Sequence, residues 1–106
     1  MKTIVIASGW FNPIHPGHIE CLELCRELGD ELWVIVNSDF QTRLKTGKED
    51  VFQDEQFRMK VVDSLKVVNR VLLSIDKDGS VCESIRAVVK EIKNLYGNDV
   101  RIIFGK

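Results

Sequence analysis

The chain has no long apolar run, few prolines and almost no excess charge, and each shortage closes off a class of protein. Nothing approaches the roughly 18 consecutive apolar residues that a membrane span requires, and no Lys/Arg-rich amphipathic stretch suggests anchoring to a membrane surface. Two prolines among 106 residues, 44% of them hydrophobic, exclude a collagen-like or disordered chain. Fifteen basic against sixteen acidic side chains leave a formal charge of −1, so no whole-molecule positive field exists to hold a long nucleic acid. Any anion site must be local. The three cysteines are an odd number, and Met1-Lys2 leads into an apolar run too short for a secretory signal. A single domain in a reducing, cytoplasmic setting is expected.

Residues 3–8 are continuously apolar rather than alternating, as suits a strand covered on both faces of a parallel sheet. Pro16 fits the first turn of a helix, along which Ile19, Leu22, Cys25 and Leu28 recur at helical spacing until Gly29 offers a left-handed stop. Further strands are expected at 32–36, 71–75 and 100–104, with Trp33 in the core. A second helix carries Phe57, Val61, Leu65 and Val68 and is opened by Asp54. A third carries Ile85, Val88, Val89, Ile92 and Tyr96, with Ser80 as its cap after the turn Asp76-Lys77-Asp78-Gly79, and Gly97-Asn98 as its end. Strand alternating with helix predicts an α/β fold, a Rossmann-like parallel sheet of about four strands with helices on both faces. In such sheets ligands sit beyond the carboxyl ends of the strands.

One connection departs from that pattern. The stretch 38–53 reads as a loop of about sixteen residues, where such connections usually take ~2–6. It carries the cations Arg43, Lys45 and Lys48, a small basic cluster on what is expected to be a mobile segment.

The most informative stretch is Gly9-Trp10-Phe11-Asn12-Pro13-Ile14-His15-Pro16-Gly17-His18, which joins the first strand to the first helix. A helix start exposes unpaired N–H groups and the positive end of the macrodipole, both of which favour a phosphate. Gly9 and Gly17 permit close backbone approach, and two histidines three apart can aim two N–H donors at one anion. The commoner phosphate cradles, GxGxxG and GxxxxGK[ST], are both absent.

These residues resemble the nucleotidylyltransferase superfamily marked by His-x-Gly-His after Gly-x-Phe-[Asp/Asn], met here by Gly9, Phe11, Asn12, His15, Gly17 and His18. The likeness continues through 29–39, Lys45, Arg58 and 76–86, and so covers nearly the whole chain in the manner of the cytidylyltransferase-like branch. It implies transfer of CMP or AMP from a nucleoside triphosphate to a phosphorylated small molecule, with release of pyrophosphate and with Mg²⁺ accompanying CTP or ATP. Carried over by position, His15, His18 and Lys45 become catalytic; Gly9, Trp10, Phe11, Asn12 and Gly17 line the nucleotide; Arg58, Lys48 and Asp39 meet the acceptor. Asn12 stands where many relatives have aspartate. For Trp10 and Phe11 the residues alone leave two readings, the wall of a pocket or closure of the core. Arg58 has a second reading as a surface arginine paired with Asp54 or Glu55, and Asp39 as a turn residue.

Homodimers are common in the family, and its members continue past the fourth strand with a Gly-Gly-Asp-type turn and a Ser/Thr-rich segment. The sequence ends at Lys106, so residues 1–106 are expected to form one domain without that segment. The first alternative is a nucleotide- or phosphate-binding module of weak activity that has lost or borrows its C-terminal half-site. The second is a metal domain using His15, His18, Cys21 and Cys25, although Cys21, Cys25 and Cys82 are more simply packing residues.

Overall fold

A computed structural model describes residues 1–47 and 53–105. The chain runs β1 (Lys2–Gly9), α1 (Pro16–Glu27), β2 (Glu31–Val36), α2 (Asp39–Thr46), α3 (Glu55–Asp63), β3 (Arg70–Leu73), α4 (Cys82–Tyr96) and β4 (Val100–Phe104). The four strands form a single parallel sheet in the order β3-β2-β1-β4, with Ile4 of β1 opposite both Glu31 of β2 and Ile102 of β4. This is the Rossmann-like α/β architecture anticipated from the alternation of elements. No helix among the described residues is long and apolar enough to cross a membrane.

The continuous apolar runs of β1 and β2 are explained by two cores. Side chains alternate across a strand. Val5, Ala7, Leu32, Val34 and Val36 therefore meet Leu22 and Cys25 of α1 and Val62 of α3 on one face. Ile4, Ile6, Trp33 and Ile35 meet Val88 and Ile92 of α4 on the other. Strand order reverses at β1: the chain proceeds outward through β2 and β3, then returns to place β4 on β1's other side. The carboxyl end of β1 is thus the switch point, where a crevice is left between diverging connections.

Several local expectations are corrected. The segment read as a loop contains α2, an eight-residue helix with a capping box in which Ser38 and Gln41 each bond the other's backbone. A left-handed Gly47 at φ 72° closes it. Gly29 is not left-handed; a Cβ there would lie 2.9 Å from the Thr3 carbonyl oxygen, so the glycine serves close packing against β1. Asp54 does cap α3, but that helix buries Arg58 and Val62 and leaves Phe57 half exposed, because the arginine occupies the inward face. β3 stops at Leu73, and Ile75 turns outward. Cys82 is exposed rather than packed.

Candidate active site

Between β1 and α1 the chain makes a tight excursion. Phe11 takes φ +51°, a left-handed conformation that costs a bulky residue ~1–3 kcal/mol. Burial of its ring, 5% exposed, returns a similar amount. The ring lies on Gly9, where a Cβ would approach Phe11 Cζ to 2.7 Å. It meets His18 edge to face with centroids 5.4 Å apart. Gly9 therefore makes room for an aromatic wedge behind His18 while itself lining the cleft, and Phe11 belongs to the core while also bordering the cleft.

His15 is the N-cap of α1. Its Nδ1 accepts the Gly17 N–H at 3.0 Å, and His18 Nδ1 accepts the His15 N–H at 3.2 Å. The two rings stack with centroids 3.8 Å apart. A ring nitrogen that accepts a hydrogen bond carries no proton, so the neutral tautomer of each histidine presents Nε2–H. Partial burial, followed by the charge His15 would carry, lowers the pKa of His18 and favours that neutral form. Gly17 is required by the cap itself: a Cβ there would stand 2.8 Å from His15 Cε1. The first turn of α1 contains no acidic side chain, so the positive end of the helix is not neutralised locally.

These histidines border a cleft of about 700 Å³ that is also lined by Trp10, Asn12, Gly17, Cys21 and Lys45. Lys45 reaches it from the last turn of α2, with Nζ 4.7 Å from the centre of the Trp10 ring. The described lining contains three nitrogen-bearing groups that can be cationic and no carboxylate. Asn12 borders the cleft, but its Oδ1 accepts the Gln53 N–H at 3.1 Å and so ties this loop to the segment leading into α3. Among the described residues no group of three or more His, Cys, Asp or Glu could hold a metal, and Cys25 faces Gly105 and the core. His15, His18, Cys21 and Cys25 are thus not gathered into one metal-binding group among the described residues.

Two acceptor candidates are placed elsewhere. Arg58 is 1% exposed and donates to the carbonyls of Gln53, Trp10 and Asn37, and through Nη2 to Asp39 at 2.9 Å. Neither the open-surface pairing with Asp54 or Glu55 nor a free phosphate-binding fork describes it. Asp39, at the start of α2, is its counter-ion. A buried guanidinium needs such partners, since losing one leaves an uncompensated charge. The pair fastens the turn after β1 to the start of α2. Lys48 lies outside the described residues.

Sequence reasoning missed Gln41, which is fully buried and donates to the carbonyls of Asp78 and Ser80. It also missed Asp76, whose carboxylate accepts the Glu83 and Ser84 amides that open α4, together with the Ser84 hydroxyl. Ser80 is not the cap expected: Val81 holds that position without a side-chain bond, and Asp76 does the capping from six residues before α4 begins. The Ser-x-x-Gln spacing at 38–41 was a readable signal for α2; nothing local announced Asp76.

A parallel sheet with a histidine-capped helix at its switch point defines a recognisable class. The chain belongs to the cytidylyltransferase-like family, whose model matches residues 6–104. Individual relatives sharpen this. It is 39% identical over 92 residues to an FAD synthase of Methanosarcina mazei, an alignment that covers 87% of this chain and 58% of that protein. It is 34% identical over 89 residues to the bifunctional protein HldE of Azorhizobium caulinodans, covering 84% of this chain and 18% of that one. The chain spans a little over half the length of the FAD synthases it matches. A crystal structure of the lipopolysaccharide core biosynthesis protein from Thermoplasma volcanium superposes with a TM-score of 0.70 at 29% identity, covering 98% of this chain and 96% of that one.

Proposed function

We propose that this chain carries the nucleotidyl-transfer site of an enzyme that joins a nucleoside monophosphate to a phosphorylated small molecule and releases pyrophosphate. The observation that carries the reading is the pair of imidazoles whose Nδ1 atoms are engaged by the backbone of α1, leaving two Nε2–H donors beside Lys45 in one cleft. An oxygen of the acceptor's phosphate attacks the α-phosphorus. The bond from that phosphorus to the bridging oxygen of the β-phosphate breaks, and pyrophosphate leaves with the electron pair. The acceptor phosphate is already ionised, so no general base is needed. Catalysis consists of aligning the two anions and neutralising charge on the α-phosphate oxygens.

In this reading His15 and His18 donate to the triphosphate and Lys45 supplies mobile positive charge. Mg²⁺ enters as part of the nucleotide substrate, held by phosphate oxygens and water; the absence of carboxylates from the described cleft lining fits an ion brought by its ligand. Trp10, Asn12 and Gly17 border the nucleotide. Because FAD is an adenylate joined through its phosphate to flavin mononucleotide, the FAD synthase relatives favour ATP over CTP as donor and a phosphomonoester such as FMN as acceptor. The test is pyrophosphate release from ATP or CTP with Mg²⁺ and a panel of phosphomonoesters that includes FMN and sugar phosphates. Turnover that falls about a hundred- to a thousandfold in His18→Ala is expected. Histidine-dependent nucleotide binding with no turnover on any acceptor would replace this reading with that of a binding module.

A further inference from the structure

We infer that Trp10 is the seat of Lys45: its indole face holds the ammonium over the cleft, so that an incoming polyphosphate meets a cation already in place. This rests on the proposed nucleotidyl transfer and adds a positioning residue to it. α2 has eight residues, too few to persist alone, and its amino-terminal end is fastened to other elements. Ser38 and Gln41 cap it, Gln41 bonds the Asp78 and Ser80 carbonyls, and Asp39 pairs with Arg58. Lys45 is at the opposite end, exposed, two residues before the left-handed Gly47. A long side chain there sweeps a large volume and loses that freedom when it engages a ligand.

Trp10 removes part of that freedom beforehand. Tryptophan offers the strongest ring face for a cation, and the Lys45 ammonium lies 4.7 Å from its centre. The backbone that carries the ring is held, because the Trp10 carbonyl accepts from buried Arg58 at 2.7 Å and the next residue is the buried Phe11. An ammonium that rests on a ring retains N–H donors for a phosphate. The same arginine binds Asp39 at the start of α2, so seat and cation are referenced to one buried group.

The test is calorimetric binding of inorganic tripolyphosphate and, separately, of adenosine to the whole chain at low salt. Trp10→Leu should weaken tripolyphosphate about two- to fivefold, as expected for loss of an exposed cation–π contact. Trp10→Phe should fall between the two, any change in adenosine binding should be smaller than that in tripolyphosphate binding, and Trp10→Leu should add nothing to the tripolyphosphate loss in a Lys45→Met background. In turnover the variant should lower kcat/KM for the nucleotide by a similar two- to fivefold, and not at all in the Lys45→Met background. Should Trp10→Leu not fold, the order of Trp above Phe, lost when Lys45 is Met, carries the decision. Equal tripolyphosphate binding by wild type and the Trp10 variants, a loss that persists without Lys45, or a loss confined to adenosine would each overturn the seat. A wild-type chain that binds no tripolyphosphate would remove the proposed function as well, whereas His18-dependent binding indifferent to Trp10 would remove only the seat.

Discussion

Helices α1 and α4 both begin beyond the carboxyl ends of strands and treat their amino-terminal ends in opposite ways. α4 receives an internal anion: Asp76 accepts from the Glu83 and Ser84 amides, and Ser74 and Ser84 surround the same carboxylate. α1 receives no anion. Its cap is an imidazole, its first turn lacks acidic residues, and its end borders the 700 Å³ cleft. Both ends offer unpaired N–H groups and a positive potential. One is neutralised by the protein and contributes stability; the other is capped by neutral groups and keeps its potential for a ligand. The burial that decides this is local, since Asp76 is 5% exposed while His15 is exposed.

The contrast can be broken most severely by giving α1 the anion that α4 already has. Aspartate is a good N-cap, so His15→Asp should hold the melting temperature within a few degrees. It should nevertheless reduce pyrophosphate release at least about a hundredfold, because a donor has become a negative charge facing the triphosphate. A variant that remains active would show that the open end of α1 is not an anion site.

The reverse change empties α4. Asp76→Ala orphans two amides at a buried helix start and should cost about 1–3 kcal/mol in urea unfolding. At ~4–8 °C per kcal/mol for a chain near this size, the melting point should fall visibly. Nucleotide affinity should change little per folded molecule, since Asp76 does not line the cleft.

A smaller effect separates the two ends by pH. Burial alone would raise the Asp76 carboxyl, but the bonds from Ser84, the Glu83 and Ser84 amides and Ser80 together outweigh it and hold the group below its ordinary 3.8. Its folded pKa is thus the lower one. Its contribution is complete above about 3.8 and is lost as acid carries the pH down through the folded value. His18 is also lowered, mainly by burial, so its contribution is complete above about 6.5 and declines as pH falls below that. Urea midpoints from pH 7 to 3 should show the upper slope vanish in His18→Gln and the lower one, to which Glu31 and Asp78 also contribute, diminish in Asp76→Asn. The least disruptive probe is Gly17→Ala, whose Cβ displaces the His15 ring. It should weaken the cap by about 1 kcal/mol and alter the His15 imidazole resonances in NMR.

How much of this is legible in the sequence differs by element. The double-sided burial of β1 and β2 was written in their unbroken apolar runs, and the inner face of α4 in Val88 and Ile92. The β1–α1 junction was legible because the pairing of His15 with Gly17 and His18 lies within one helical turn. Arg58 was misjudged because an arginine near a helix start has no local mark of being buried; its partners Trp10, Asn37 and Asp39 come from other elements. The inner face of α3 was misassigned with it, since the apolar positions suggested a stripe through Phe57.

By itself, then, the sequence determined what depends on neighbours a few residues apart: the periodicity that makes strands and helices, the imidazole cap, and the family to which the junction belongs. The tertiary structure alone decided which charges are enclosed and which remain available. Strand register brings Trp10 to Lys45, Trp10 and Asp39 to Arg58, and Asp78 to Gln41. Whether a charge is neutralised or left facing solvent depends on groups that only the assembled fold brings within hydrogen-bonding range.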